Sequence, residues 1–136
     1  MKSNSLWTRD FQSVVDNGRN HSLVIDLPEP KGGSNSGPTA LELCVMSLSG
    51  CVGTIFSMMA QKMRLIYETM EVEVVAEQKN NAPTITDVNL VLMIQTQDSK
   101  EKVDKCLQHT INTCPVGLLY KQAGVTITSE IKMMGL

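Results

Sequence analysis

Two cysteines stand out by their chemical settings. Cys51 lies inside a long apolar segment, and Cys114 directly precedes a proline at the junction of two helical patterns. They are 63 positions apart. Thiols brought together by folding can form a redox couple. Pro is favoured at the first position of a helix, so Cys114 is expected to be the N-cap of a short helix starting at Pro115. Unpaired N–H groups at such a terminus stabilise a thiolate, which makes Cys114 the more acidic of the two on residue chemistry alone. Cys51 sits mid-helix among Leu48, Val52 and Ile55, where burial raises a thiol's pKa unless the fold brings a cation. The arginines are Arg9, Arg19 and Arg64. Arg64 lies roughly 20 Å along the same helix and is out of reach. Arg9 and Arg19 come from the N-terminal segment, and either could approach. Plain core packing also accounts for both sulfurs, since free cysteine is among the most buried residue types. Cys44 and Cys106 fall on apolar stripes and read as core.

Other chemistry is sparse. His21 sits beside a turn and His109 lies off its helix stripe, and neither has acids or thiols at metal-ligand spacing, so no metal site is expected. The absence of CxxC excludes zinc-ribbon and thioredoxin readings. Gly32-Gly33 is not followed by a phosphate-loop pattern. A net charge of −2 and an aromatic content of 4 % leave no electrostatic or stacking surface for nucleic acid. The N-terminus lacks a secretory pattern, and no uninterrupted apolar run approaches the roughly 20 residues of a membrane span. The expectation is a soluble, cytoplasmic protein whose four cysteines rest as thiols. No cofactor, nucleic-acid partner or membrane partner is expected.

The elements that must position the sulfurs follow from periodicity. The 136 residues, 42 % of them hydrophobic, suit one domain with a sizeable core. Residues 1–38 read as a meander over 6–27, turning at Asn17-Gly18, followed by the loop PEPKGGSNSGP. A central helix spans 39–64, with Thr39 and Glu42 in a capping-box pattern. Its apolar stripe is 41, 44, 45, 48, 52, 55, 59 and 63, and a second, small-residue face carries Gly50, Gly53, Ser57 and Ala60. A helix of this kind is expected to be buried all round, with a symmetric partner subunit covering one side. Residues 68–97 alternate as a hairpin turning at Asn80-Asn81. A second helical region covers 98–122, opened by a D-x-x-E cap at Asp98, with the stripe Val103, Cys106, Leu107, Thr110 and Cys114. Residues 124–132 form a last strand. The order is α+β.

Gly37-Pro38-Thr39-Ala40-Leu41-Glu42-Leu43, followed by Ser49-Gly50-Cys51, resembles the first motif of the OsmC/Ohr family, GPxPxEL leading to a GC or AC thiol. Cys114-Pro115-Val116 resembles its second, and the match spans nearly the whole chain. The resemblance implies antiparallel sheets wrapped around long central helices in an intertwined homodimer. It also implies an activity, thiol-dependent reduction of organic hydroperoxides. In that scheme the cysteine matching Cys51 attacks the peroxide and becomes a sulfenic acid, and the one matching Cys114 condenses with it to a disulfide. An external dithiol then reduces the disulfide. An arginine activates the first thiol, and Arg9 matches that position best, with Arg19 the runner-up. A glutamate near the helix start orients the arginine. In the branches with peroxidase activity it lies ten residues before the first cysteine, where this chain has Leu41. Glu42 is displaced by about 100° around the helix. A non-catalytic dimer that binds a small apolar or thiol-reactive ligand is therefore the alternative reading.

Overall fold

The structure is a computed structural model that describes residues 1–135. The chain falls into two compact units, divided within the central helix between Cys44 and Val45. Among the described residues the secondary structure is α+β, with two three-stranded sheets and three α-helices.

The first unit is an antiparallel meander of β1 (Asn4–Arg9), β2 (Gln12–Asp16) and β3 (Ser22–Ile25). The β2–β3 turn uses the positive φ of Gly18 and Asn20, as the Asn-Gly signal requires. The loop after β3 is not slack. Asp26, only 2 % exposed, accepts hydrogen bonds from the N–H groups of Leu27, Ser34 and Ser36 and from Ser36 Oγ. These donors hold its carboxyl down to about 2, the Ser36 hydroxyl contributing most. The loop also folds back so tightly that a Cβ on Gly33 would sit 1.9 Å from the Leu27 carbonyl oxygen, and one on Gly37 2.2 Å from that of Val24. Only glycine permits either approach.

Helix α1 runs Ala40–Met63. Its start is the reciprocal capping box expected from the sequence: Thr39 N–H donates to Glu42 Oε2 at 2.7 Å, and Glu42 N–H donates to Thr39 Oγ1 at 3.2 Å. In the second unit α1 packs on a sheet of β4 (Thr69–Glu77), β5 (Asp87–Gln95) and β6 (Thr126–Met134), in the order β4-β5-β6. Alternation along β5 drives Val88, Leu90, Leu92 and Ile94 into the core, none more than 1 % exposed. Met70, Val72, Val74 and Ala76 of β4 pack against the same core. Asn80 and Asn81, both at positive φ, turn the hairpin. β5 and β6 pair in parallel, so this sheet is mixed rather than wholly antiparallel. The direction is imposed by α2 (Lys100–Thr113) and α3 (Pro115–Gln122), which supply the crossover that a parallel pair needs. Ser99, not Asp98, caps α2, its side chain accepting from Lys102 N–H. Asp98 instead accepts from Ile66 N–H and pairs with Lys102 Nζ at 2.7 Å.

Two expectations about α1 need correction. By length and composition it does qualify as long and apolar enough to cross a membrane, because its serines, glycines and threonine interrupt the apolar residues without adding charge. Within the single chain α1 is covered on one side. Its buried line is Leu48, Val52, Phe56 and Ala60, while Leu41, Met46 and Met58 are exposed. The small residues share one side of the helix, but only its later part is covered. Gly53, Ser57 and Ala60 turn inward, with Ser57 Oγ 2.9 Å from Tyr67 Oη, whereas Gly50 faces open space. Cys44, expected in the core, is exposed for the same reason: the buried line begins a turn later, at Leu48.

Candidate active site

Cys51 and Cys114 meet in the second unit, with Sγ atoms 2.8 Å apart. Cys51 is half-buried on α1, against the core that includes Leu48 and Val52. Cys114 is fully buried and belongs to two helices at once, ending α2 and capping α3. Pro115 explains the double role. It cannot supply the N–H that would continue α2, and its fixed φ suits the first turn of a new helix. The Cys114 N–H donates to Thr110 O at 2.8 Å, and the Cys114 carbonyl accepts from Leu118 N–H at 2.9 Å. Its Sγ accepts from Gly117 N–H at 3.3 Å, the expected N-cap geometry.

That geometry does not make Cys114 acidic. Burial pushes its thiol up to about 11, the hydrogen bond to Cys51 adds to the rise, and the N–H groups of Gly117 and Val116 offset only part of it. The sequence argument weighed the helix terminus and omitted desolvation, which is the larger effect at a fully buried sulfur. The expectation of an acidic Cys114 is therefore corrected. Cys114 holds its proton and directs it toward Cys51 Sγ, which acts as the acceptor.

The other candidates are carried by other elements. Arg9 ends β1 beside a register shift between Trp7 and Arg9, and Arg19 lies in the β2–β3 turn, where its N–H donates to Asn17 Oδ1. Both arginine side chains are exposed, and both belong to the first unit. Glu42 is engaged by Thr39, whose backbone N–H is the main cause lowering its carboxyl. Leu41 is exposed at the position before it. Cys106 is buried in the core, its thiol pushed up to about 11 by desolvation. Among the described residues no cluster of His, Cys, Asp or Glu could hold a metal ion. Asp26 was missed as an organising residue. The available signal was an acid at a strand end, followed within ten residues by two serines in a glycine-rich loop.

An α+β fold that joins two thiols from separate helices defines the class of protein. The family assignment follows from comparison: the model of the OsmC-like protein family matches residues 33–130, and the chain belongs to that family. The fold is similar to that of an OsmC-like protein from Mycoplasma pneumoniae, with a TM-score of 0.86 at 13 % identity over 98 % of this chain and 96 % of that one. An organic hydroperoxide resistance protein from Elizabethkingia anophelis gives 0.74 at 14 %, over 97 % and 94 %. An organic hydroperoxide resistance protein OsmC from Legionella pneumophila gives 0.73 at 10 %, over 97 % and 96 %. At these identities the likeness speaks to the fold. No curated protein sequence matches.

Proposed function

We propose that this protein is a thiol peroxidase that reduces organic hydroperoxides with Cys51 and Cys114. The observation that carries the reading is the 2.8 Å contact between the two sulfurs. The Cys51 thiolate attacks the peroxide O–O bond and, with the proton released on its ionisation taken up by the departing alkoxide, gives a Cys51 sulfenic acid and an alcohol. Cys114 then attacks the sulfenic sulfur, an S–S bond forms, and the proton carried by Cys114 leaves with water. An external dithiol returns two electrons, regenerating both thiols and becoming a disulfide itself. No cofactor is needed for this balance. Arg9, or Arg19 in its place, is the activating arginine of this reading, as the family resemblance implies. Glu42 serves chiefly as the cap of α1. The exposed apolar side chains Met46 and Met58, on the side of α1 where Gly50 is open, support a homodimer built on α1. Resting thiols suit a reducing cytoplasm.

The second reading is a dimer that binds a small apolar or thiol-reactive ligand without turnover. It is favoured by Leu41 at the orienting position and by the commitment of Glu42 to Thr39. Cumene hydroperoxide and a dithiol, given to the wild type and to Cys51→Ser and Cys114→Ser, separate the two. Peroxide consumption that requires both cysteines is expected. Consumption indifferent to Cys51 refutes the peroxidase, and ligand binding that survives Cys51→Ser then supports the second reading.

A further inference from the structure

We propose that reduction is regioselective: the incoming thiolate attacks Cys51 Sγ, and Cys114 is the sulfur that leaves, received by the Gly117 N–H. The inference rests on the two-cysteine reading above and adds which sulfur the reductant touches. Displacement at a disulfide requires the nucleophile to approach along the S–S axis, from the far side of the sulfur attacked. Cys114 has no exposed surface, and its Sγ is flanked by the first turn of α3. A Cβ placed on Gly117 would already be in contact with that sulfur, 3.6 Å away. Cys51 keeps part of its surface open.

The electronic preference runs the other way, and its size decides the matter. Burial holds the leaving thiol above its ordinary 9.0, with about 11 as the upper limit because part of that rise comes from a Cys51 thiol absent at this step, and it departs more slowly than an ordinary one. With a leaving-group sensitivity similar to that for nucleophilicity, this costs up to about tenfold. A closed line of approach removes the competing route rather than slowing it. Gly117 N–H meets the sulfur as charge develops on it, as N–H donors do for an anion. The balance is one thiolate, one disulfide and one proton in, with a Cys51 mixed disulfide and a Cys114 thiol out. Burial then favours the protonated Cys114, a poor nucleophile, so the mixed disulfide is not resealed before the second thiol of the reductant resolves it. That second thiolate attacks the reductant's own sulfur and releases Cys51.

The test uses the full chain oxidised with diamide, so it does not depend on peroxide turnover. The oxidised protein is given 2-mercaptoethanol for one partial turnover, quenched with acid and N-ethylmaleimide, and mapped by fragmentation mass spectrometry. At least about tenfold more mercaptoethanol on Cys51 than on Cys114 is expected, with maleimide on Cys114. Equal labelling, or a preference for Cys114, overturns the proposal. So does failure of diamide to join Cys51 to Cys114. Loss of peroxide consumption with the expected labelling pattern refutes the peroxidase reading alone.

Discussion

Cys114 should be a sluggish thiol despite capping a helix, and the size of the effect can be worked from its surroundings. In Cys51→Ser the neighbouring sulfur is gone, but burial, the largest cause of the shift, remains. The full rise from 9.0 to about 11 includes what Cys51 contributes, so in this variant the thiolate fraction near neutral pH falls by at most about 100-fold, of which the stronger nucleophilicity of the more basic thiolate recovers up to about tenfold. The net is alkylation slower by up to about tenfold before access is counted, and full burial slows it further. The assay is a time course of iodoacetamide labelling at Cys114 in folded Cys51→Ser, against the same variant in urea. The folded rate should climb with pH past the point where the unfolded rate levels off. The same shift has a stability consequence of fixed sign. The fold favours the neutral thiol, so its contribution is complete below 9.0 and is lost as pH rises toward about 11. Equal labelling rates in the folded and unfolded protein would refute the reasoning that desolvation outweighs the helix terminus.

Two further outcomes follow from the packing. Phe56, fully buried on α1 and edge-on to Tyr67, should cost about 3–5 kcal/mol when cut to alanine, read from the urea midpoint at unchanged slope. Asp26 is depressed from 3.8 to about 2, so its contribution to stability is complete above 3.8 and lost as pH falls toward about 2. Asp26→Asn should be less stable at neutral pH and should flatten the acid limb in that window, and an unchanged limb in acid unfolding monitored by circular dichroism would count against it.

Local chemistry was legible where one residue pair decides an outcome. Thr39 and Glu42 named the start of α1, Asn80-Asn81 the hairpin turn, and Cys114-Pro115 the junction of two helices. Alternation identified the inward face of β5 residue by residue. What escaped depends on distant partners. The parallel pairing of β6 is invisible in a segment that alternates equally well in either direction. Asp98 and Ser99 are both good caps, and Lys102 and Ile66 recruit the first and leave the second to the helix. The acidity of Cys114 was misjudged because depth is a property of the folded core. The meeting of Cys51 and Cys114 entered through a family likeness, since nothing in 63 residues of spacing dictates it.

The double attachment of Cys114 bears on how much of the molecule must move during chemistry. Its backbone N–H and carbonyl are both tied into helical ladders, so its Cα is a fixed post. Any approach of the sulfurs has to come from side-chain rotation, above all at Cys51, and no segment need unwind. The reorganisation that joining two remote thiols would otherwise demand at every cycle is completed once, when the chain folds.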